Sequence, residues 1–162
     1  MAVTAKSARG AARKPGGASR RHAQAVLYFQ EGIQEKFMTI HLRHETPDDV
    51  AAIEAVTIAA FADAPHTSHT EQFIVRALRA AGELTLSIAA EEHGQVVGHV
   101  ALSPVTITDG HGHKTEGWYG LGPISVLPQR QGHGIGSRLM EQALSELRAM
   151  QAAGCVLLGD PV

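Results

Sequence analysis

A chain of 162 residues is long enough for one compact domain, or for one small domain with a tail. Hydrophobic residues make up 44% of it and aromatics only 4%, so any core is aliphatic, and no apolar run approaches the roughly 20 residues that span a bilayer. The single cysteine, Cys155, excludes an intramolecular disulfide framework and cysteine-based zinc motifs, and the net charge of −2 conceals +5 over residues 1–37 against −7 over the remainder.

That asymmetry divides the chain into a basic tail, residues 1–37, and a folded domain, residues 38–162. Residues 1–24 are Ala, Gly, Ser, Arg and Lys with almost nothing to bury, so they are expected to be disordered. Three readings of the tail stand side by side: sequence upstream of a true start at Met38, a transit-like peptide, or a nucleic-acid-binding arm. The first is preferred. An arm would carry stacking aromatics among its basic residues, and residues 1–24 have none, which argues against a nucleic-acid partner.

Thr39-Ile40-His41-Leu42-Arg43 alternates as a strand does. Thr46 then reads as an N-cap, with Pro47 at the first helical position and Asp48 and Asp49 in the first turn. Val50, Ile53, Val56 and Ala60 mark the buried stripe of this helix. Phe73, Ile74, Ala77, Leu78 and Ala81 predict a second amphipathic helix with Gly82 as its C-cap. Strands are expected over 84–90, 96–107 and 118–126, with turns at 92–95 and 109–112. A helix follows over 136–150, with Ile135, Leu139, Ala143 and Leu147 on one face. Gly154 is expected to end it before a last buried strand over 155–158. The order β-α-α-β-β-β-α-β predicts an α+β domain: a mixed, mostly antiparallel sheet flanked by helices.

The chemistry lies in Gln131-Gly132-His133-Gly134-Ile135-Gly136-Ser137, a glycine-rich loop between a strand and a helix. Alternating glycines let successive N–H groups turn to one side, and the helix dipole favours an anion there. A phosphate or pyrophosphate site made of main chain follows. A P-loop is excluded because no lysine follows these glycines, and a dinucleotide fingerprint because Ser137 stands where its third glycine belongs.

Gln131-x-x-Gly134-x-Gly136, preceded by Gly120-Leu121-Gly122-Pro123-Ile124-Ser125-Val126-Leu127-Pro128, resembles the signature of the GNAT superfamily of acetyl-CoA-dependent N-acetyltransferases. The resemblance covers residues 38–162. It implies that backbone amides of Gln131, Gly132, His133, Gly134, Ile135 and Gly136, with Ser137, hold the pyrophosphate of acetyl-CoA. Main-chain groups of Ile124, Ser125 and Val126 would pair with the pantetheine arm, and the Val126 amide would polarise the thioester carbonyl. Arg130 and Arg138 would meet the nucleotide end. An amine attacks the thioester directly in this superfamily, so a base is needed; Glu116 is the first candidate and His113 the second.

The superfamily carries a tyrosine acid beyond a Gly-Asp-Pro turn. Here Gly159-Asp160-Pro161-Val162 are the last residues, and neither Tyr119 nor Tyr28 occupies that position. The expectation is an incomplete catalytic domain of reduced activity, whose last strand has an unpaired edge open to self-association as a homodimer. The alternative is a catalytically impaired acyl-CoA-binding or regulatory module. A third function, nucleic-acid association through residues 1–24, is set aside with the arm. No metal site is expected: His111 and His113 share a turn without a carboxylate or cysteine nearby, and such a pair is read as solvated. His66 and His69 fall in the loop between the first two helices, and Cys155 reads as a packing residue. One thiol and no export signal suggest a cytoplasmic protein without membrane contact.

Overall fold

The computed structural model describes residues 39–64 and 69–157. The tail, His66, Leu158 and the turn at 159–162 lie outside the described residues.

Strand β1 (His41–His44) leads to Pro47–Asp49, a single 3-10 turn, and then to helix α1 (Val50–Phe61). The capping signal at Thr46 works through Asp49. Its carboxylate accepts from the Thr46 N–H at 2.7 Å and hydroxyl at 2.9 Å, and from Arg43 Nη1 and Nη2 at 2.6 and 2.9 Å. Arg43 Nε also donates to Glu91 Oε2 at 2.8 Å, so one guanidinium joins β1, the helix start and the second strand. Ile53 and Val56 are buried as their spacing predicts.

Helix α2 (Glu71–Ala81) ends at Gly82 in the left-handed conformation, as expected. Its predicted apolar stripe, however, is not the buried one. Val75 is 3% exposed, whereas Phe73 and Ile74 are 51% and 47% exposed. In this rotation Arg79 binds Glu45 through two bonds of 2.8 and 2.7 Å, and Arg76 binds Glu54 of α1. The Arg76 guanidinium also lies over the Phe73 ring, 5.6 Å from its centre, on the outer surface.

Strands β2 (Leu86–Glu92), β3 (Gln95–Thr108), β4 (Lys114–Val126) and β5 (Gly154–Val156) complete a five-stranded sheet in the order β1-β2-β3-β4-β5. The first three pairings are antiparallel and the last is parallel, so the mixed, mostly antiparallel sheet is as expected. β4 begins earlier than the predicted residue 118. Asp109 Oδ1 accepts the N–H groups of His111 and His113 at 2.8 and 2.9 Å, which closes the hairpin tightly enough to pair Thr108 with Lys114.

Helix α3 (Ile135–Ala149) buries Ile135, Leu139, Ala143 and Leu147 against Ile88, Val100, Leu102 and Leu121 on one sheet face. Ile53 of α1 and Val75 of α2 pack with Ala101 on the other face. Side chains 100, 101 and 102 of one strand thus serve opposite layers in alternation. Gly154 does not cap α3. Gln151, at φ 58°, makes the left-handed turn after the helix, and Gly154 opens β5. A Cβ on Gly154 would lie 2.3 Å from the Trp118 ring, so the glycine is there for close strand approach.

Candidate active site

β4 and β5 pair only at Trp118, Tyr119 and Gly120, opposite Gly154, Cys155 and Val156. β4 runs on for six residues, from Leu121 to Val126, with no strand on that side among the described residues. On the other side, Val126 lies opposite Gly98, Ser125 opposite His99 and Ile124 opposite Val100. Leu127 N–H donates to Val97 O at 2.9 Å. Antiparallel alternation then turns the peptide groups of Ser125 toward β3 and those of Ile124 and Val126 toward the open side.

The segment after β4 forms a short turn (Pro128–Arg130) and then the loop. Gly132 and Gly134 have φ values of 76° and 77°, a region that a Cβ disfavours. Gly134 is the N-cap of α3, and no side chain caps the helix. The first α-helical bond runs from Arg138 N–H to Gly134 O at 3.1 Å, so the amides of Ile135, Gly136 and Ser137 precede it. A cleft of about 440 Å³ is lined by these residues together with Val126, Arg130, Gln131 and Gly132. The open peptide edge and the loop therefore meet at Val126.

Several site expectations change. The Gln131 amide donates to Pro128 O at 3.3 Å and is used by the turn; its side chain instead donates to Val126 O at 3.0 Å. Ser125 faces α1, where its hydroxyl donates to Thr57 Oγ1 at 3.2 Å, and its peptide groups belong to the β3 ladder. A main-chain contact from Ser125 to a ligand on the open side is therefore not available. His133 hydrogen-bonds Gln131 O through Nδ1 at 2.8 Å, which folds its ring back on the loop. Arg138 donates to Ile40 O at 2.9 Å, and Arg130 pairs with Glu92 at 2.6 Å, so neither is simply a solvated cation.

Glu116 does not fit the role of base. It is the third residue of β4 and exposed, whereas Val126 is the last. At about 3.3 Å per residue the two are roughly 30 Å apart along the strand. His113 lies still farther away in the hairpin turn, bound to Asp109 Oδ2 at 3.0 Å. Burial pushes the Cys155 thiol up, away from nucleophile chemistry. Among the described residues no group of three His, Cys, Asp or Glu side chains is arranged to hold a metal ion.

The sequence reading missed a buried polar cluster beneath α1 and α2. Ser87 Oγ donates to Glu45 Oε2 and lies 2.7 Å from His99 Nε2, while Arg79 holds the same glutamate. His99 is fully buried, and its Nδ1 has no hydrogen-bond partner. The order differs from that of an activated serine, because the carboxylate meets Ser87 rather than His99 Nδ1. The signal available in the sequence was a histidine inside an apolar strand, beside Val100.

Burial lowers the His99 pKa from 6.5 to about 4, with Arg79 lowering it and Glu45 opposing the shift. The unfolded chain therefore takes up this proton first as the pH falls. Stability from neutral His99 is complete above pH 6.5 and lost between 6.5 and 4, by about 3 kcal/mol in all. Glu45 and Asp49, whose pKa values are lowered chiefly by bonds to Arg79 and Arg43 against the opposing effect of burial, add a further loss below about pH 4. Urea midpoints measured across this range should show the first loss and its flattening in His99→Gln. Equal slopes for both chains above pH 4 would contradict it.

A mostly antiparallel sheet opened along one strand beside a glycine-rich anion cleft defines a fold of the acyltransferase class. The chain belongs to the Acetyltransferase (GNAT) family, whose sequence profile matches residues 50–160. It is 36% identical over 121 residues to the uncharacterized N-acetyltransferase YhbS of Escherichia coli K12, a match spanning 74% of this chain and 67% of that protein. Among solved structures it is similar to a GNAT family acetyltransferase from Brucella melitensis in complex with acetyl-CoA. That likeness has 54% identity and a TM-score of 0.71, and covers 76% of this chain and 78% of the other. The crystal structure of E. coli YhbS in complex with CoA has 34% identity and a TM-score of 0.67, over 76% of this chain and 64% of that one.

Proposed function

We propose that residues 38–162 form an N-acetyltransferase domain that passes the acetyl group of acetyl-CoA to an amine of a small molecule or protein. The observation that carries this reading is the junction at Val126, where an open peptide edge meets an uncapped helix start in one cleft. The pyrophosphate would rest on the amides of Gly132, His133, Gly134, Ile135 and Gly136, with Ser137 at the helix start. A site of this kind needs no cationic side chain, because the amides and the helix dipole supply the positive potential. Ile124 and Val126 offer the pantetheine arm the same main-chain pattern they would offer another strand.

Attack of the neutral amine on the thioester carbonyl forms a tetrahedral oxyanion, and the Val126 N–H is the donor for it. The carbon–sulfur bond then breaks, the thiolate takes a proton, and the ammonium nitrogen gives one up. Close positioning of amine and thioester supplies much of the rate, so the reaction needs no covalent enzyme intermediate. Two further parts of the reading are a homodimeric state and a cytoplasmic location. Exposed Val156 at the end of β5 and Leu157 just after it support the first, and the single cysteine, Cys155, suits a reducing compartment.

Calorimetric titration with acetyl-CoA, followed by coenzyme A release with a panel of amines, tests the proposal. Binding with amine-dependent release supports it. Binding without release from any amine would favour the acyl-CoA-binding module, and no binding would overturn both.

A further inference from the structure

Glu92 ends β2 and is only 7% exposed. A carboxylate so nearly removed from water is held there only at a large desolvation cost unless a cation matches it. Its match is Arg130 Nη2, at 2.6 Å. Arg130 belongs to the turn just before the glycine loop, and it lines the same cleft as Val126, Gly134 and Ser137. The two residues are 38 positions apart in sequence. Their pairing joins the end of β2 to the wall of the anion site.

We propose that Glu92 is a positioning residue that sets the coenzyme affinity of this cleft by holding the Arg130 guanidinium as a neutral pair. The proposal rests on the coenzyme reading of the cleft. Arg130 alone would add a full positive charge to a site already built of amide donors. Glu92 cancels that charge at contact distance. Attraction for the pyrophosphate then comes from the main chain, which reads geometry, and spent coenzyme is not retained by a strong ion pair. Glu92 also fixes the direction of the guanidinium, since the carboxylate is embedded at a strand end and does not follow the loop.

Coenzyme A titration of Glu92→Gln, Arg130→Gln and the double variant tests this at low and high ionic strength, with denaturation midpoints measured alongside. Loss of the carboxylate should tighten coenzyme A binding about tenfold at low ionic strength, and salt should erase most of that gain. Arg130→Gln should weaken binding by about tenfold or more, because the cation that lines the cleft is lost and the Glu92 charge behind it is left unmatched. The double variant should return to within about threefold of the parent, since the pair is neutral with or without its charges. A purely structural link between β2 and the turn would instead weaken binding in all three variants without a change in salt dependence. That result would overturn the proposal, as would a double variant binding no better than Arg130→Gln. If Glu92→Gln alone melts below the assay temperature, the comparison of Arg130→Gln with the double variant decides. Failure of the parent chain to bind coenzyme A would be a separate result, overturning the coenzyme reading on which this one stands.

Discussion

Gly134→Glu is expected to weaken coenzyme A binding by roughly a hundredfold or more while leaving the fold intact. Gly134 is the N-cap of α3 at φ 77°, and no atom lies within 4 Å of the position its Cβ would take. A side chain there meets no packed neighbour, so the core is not disturbed. Two effects remain. The left-handed conformation costs a residue with a Cβ about 1 kcal/mol. The carboxylate then stands among the amides of Ile135, Gly136 and Ser137 and takes the position of the anion they would bind. Gly134→Gln separates the effects, because it carries the strain and bulk without the charge. It should lose about tenfold in affinity, with the remainder appearing only in the glutamate variant. Calorimetry with coenzyme A measures both. Affinity unchanged in a folded Gly134→Glu chain would remove the loop from the site.

The other large effect is expected on turnover. Val126→Pro deletes one N–H and should lower kcat by about a hundred- to a thousandfold, the range found when one oxyanion donor is lost. The substitution is selective because of register. The Val126 peptide groups face the open side of β4, and the neighbouring bond to β3 is made by Leu127 N–H. Proline at such a position breaks no ladder bond, and the Val126 carbonyl still accepts from Gln131. KM for acetyl-CoA should change only a few-fold, since the pyrophosphate contacts are elsewhere. A fall in kcat with coenzyme A affinity preserved distinguishes loss of the donor from loss of the cleft. Wild-type kcat in this variant would show that Val126 does not polarise the carbonyl.

The two experiments probe one short stretch, residues 126–137, whose backbone form was legible from the sequence alone. Alternating glycines before an amphipathic helix constrain their own neighbourhood. Positive φ at Gly132 and Gly134 and an uncapped helix start are local consequences of local residues. The same holds for α3, whose four-residue spacing of Ile135, Leu139, Ala143 and Leu147 corresponds to the buried face. It holds also for the β2-β3 and β3-β4 hairpins, whose short turns leave antiparallel neighbours as the economical pairing.

Other features were not legible, and they share a cause. Phe73 and Ile74 carried the apolar signal of α2, but the helix turns Val75 inward, in a rotation where Arg79 and Arg76 meet Glu45 and Glu54. Glu116 was plausible by chemistry and excluded by strand length. Ser125 lies between two ligand-facing residues, yet alternation directs its backbone to β3 and its hydroxyl to Thr57. His99, Ser87 and Glu45 come from β3, β2 and the loop after β1, and Glu92 and Arg130 from the end of β2 and the turn before the glycine loop. Periodicity, caps and glycine conformations act within a few residues, so the chain announces them wherever it is read. Ion pairs and buried polar contacts depend on which distant segments pack together, and their partners acquire meaning only when the sheet closes and excludes water between them.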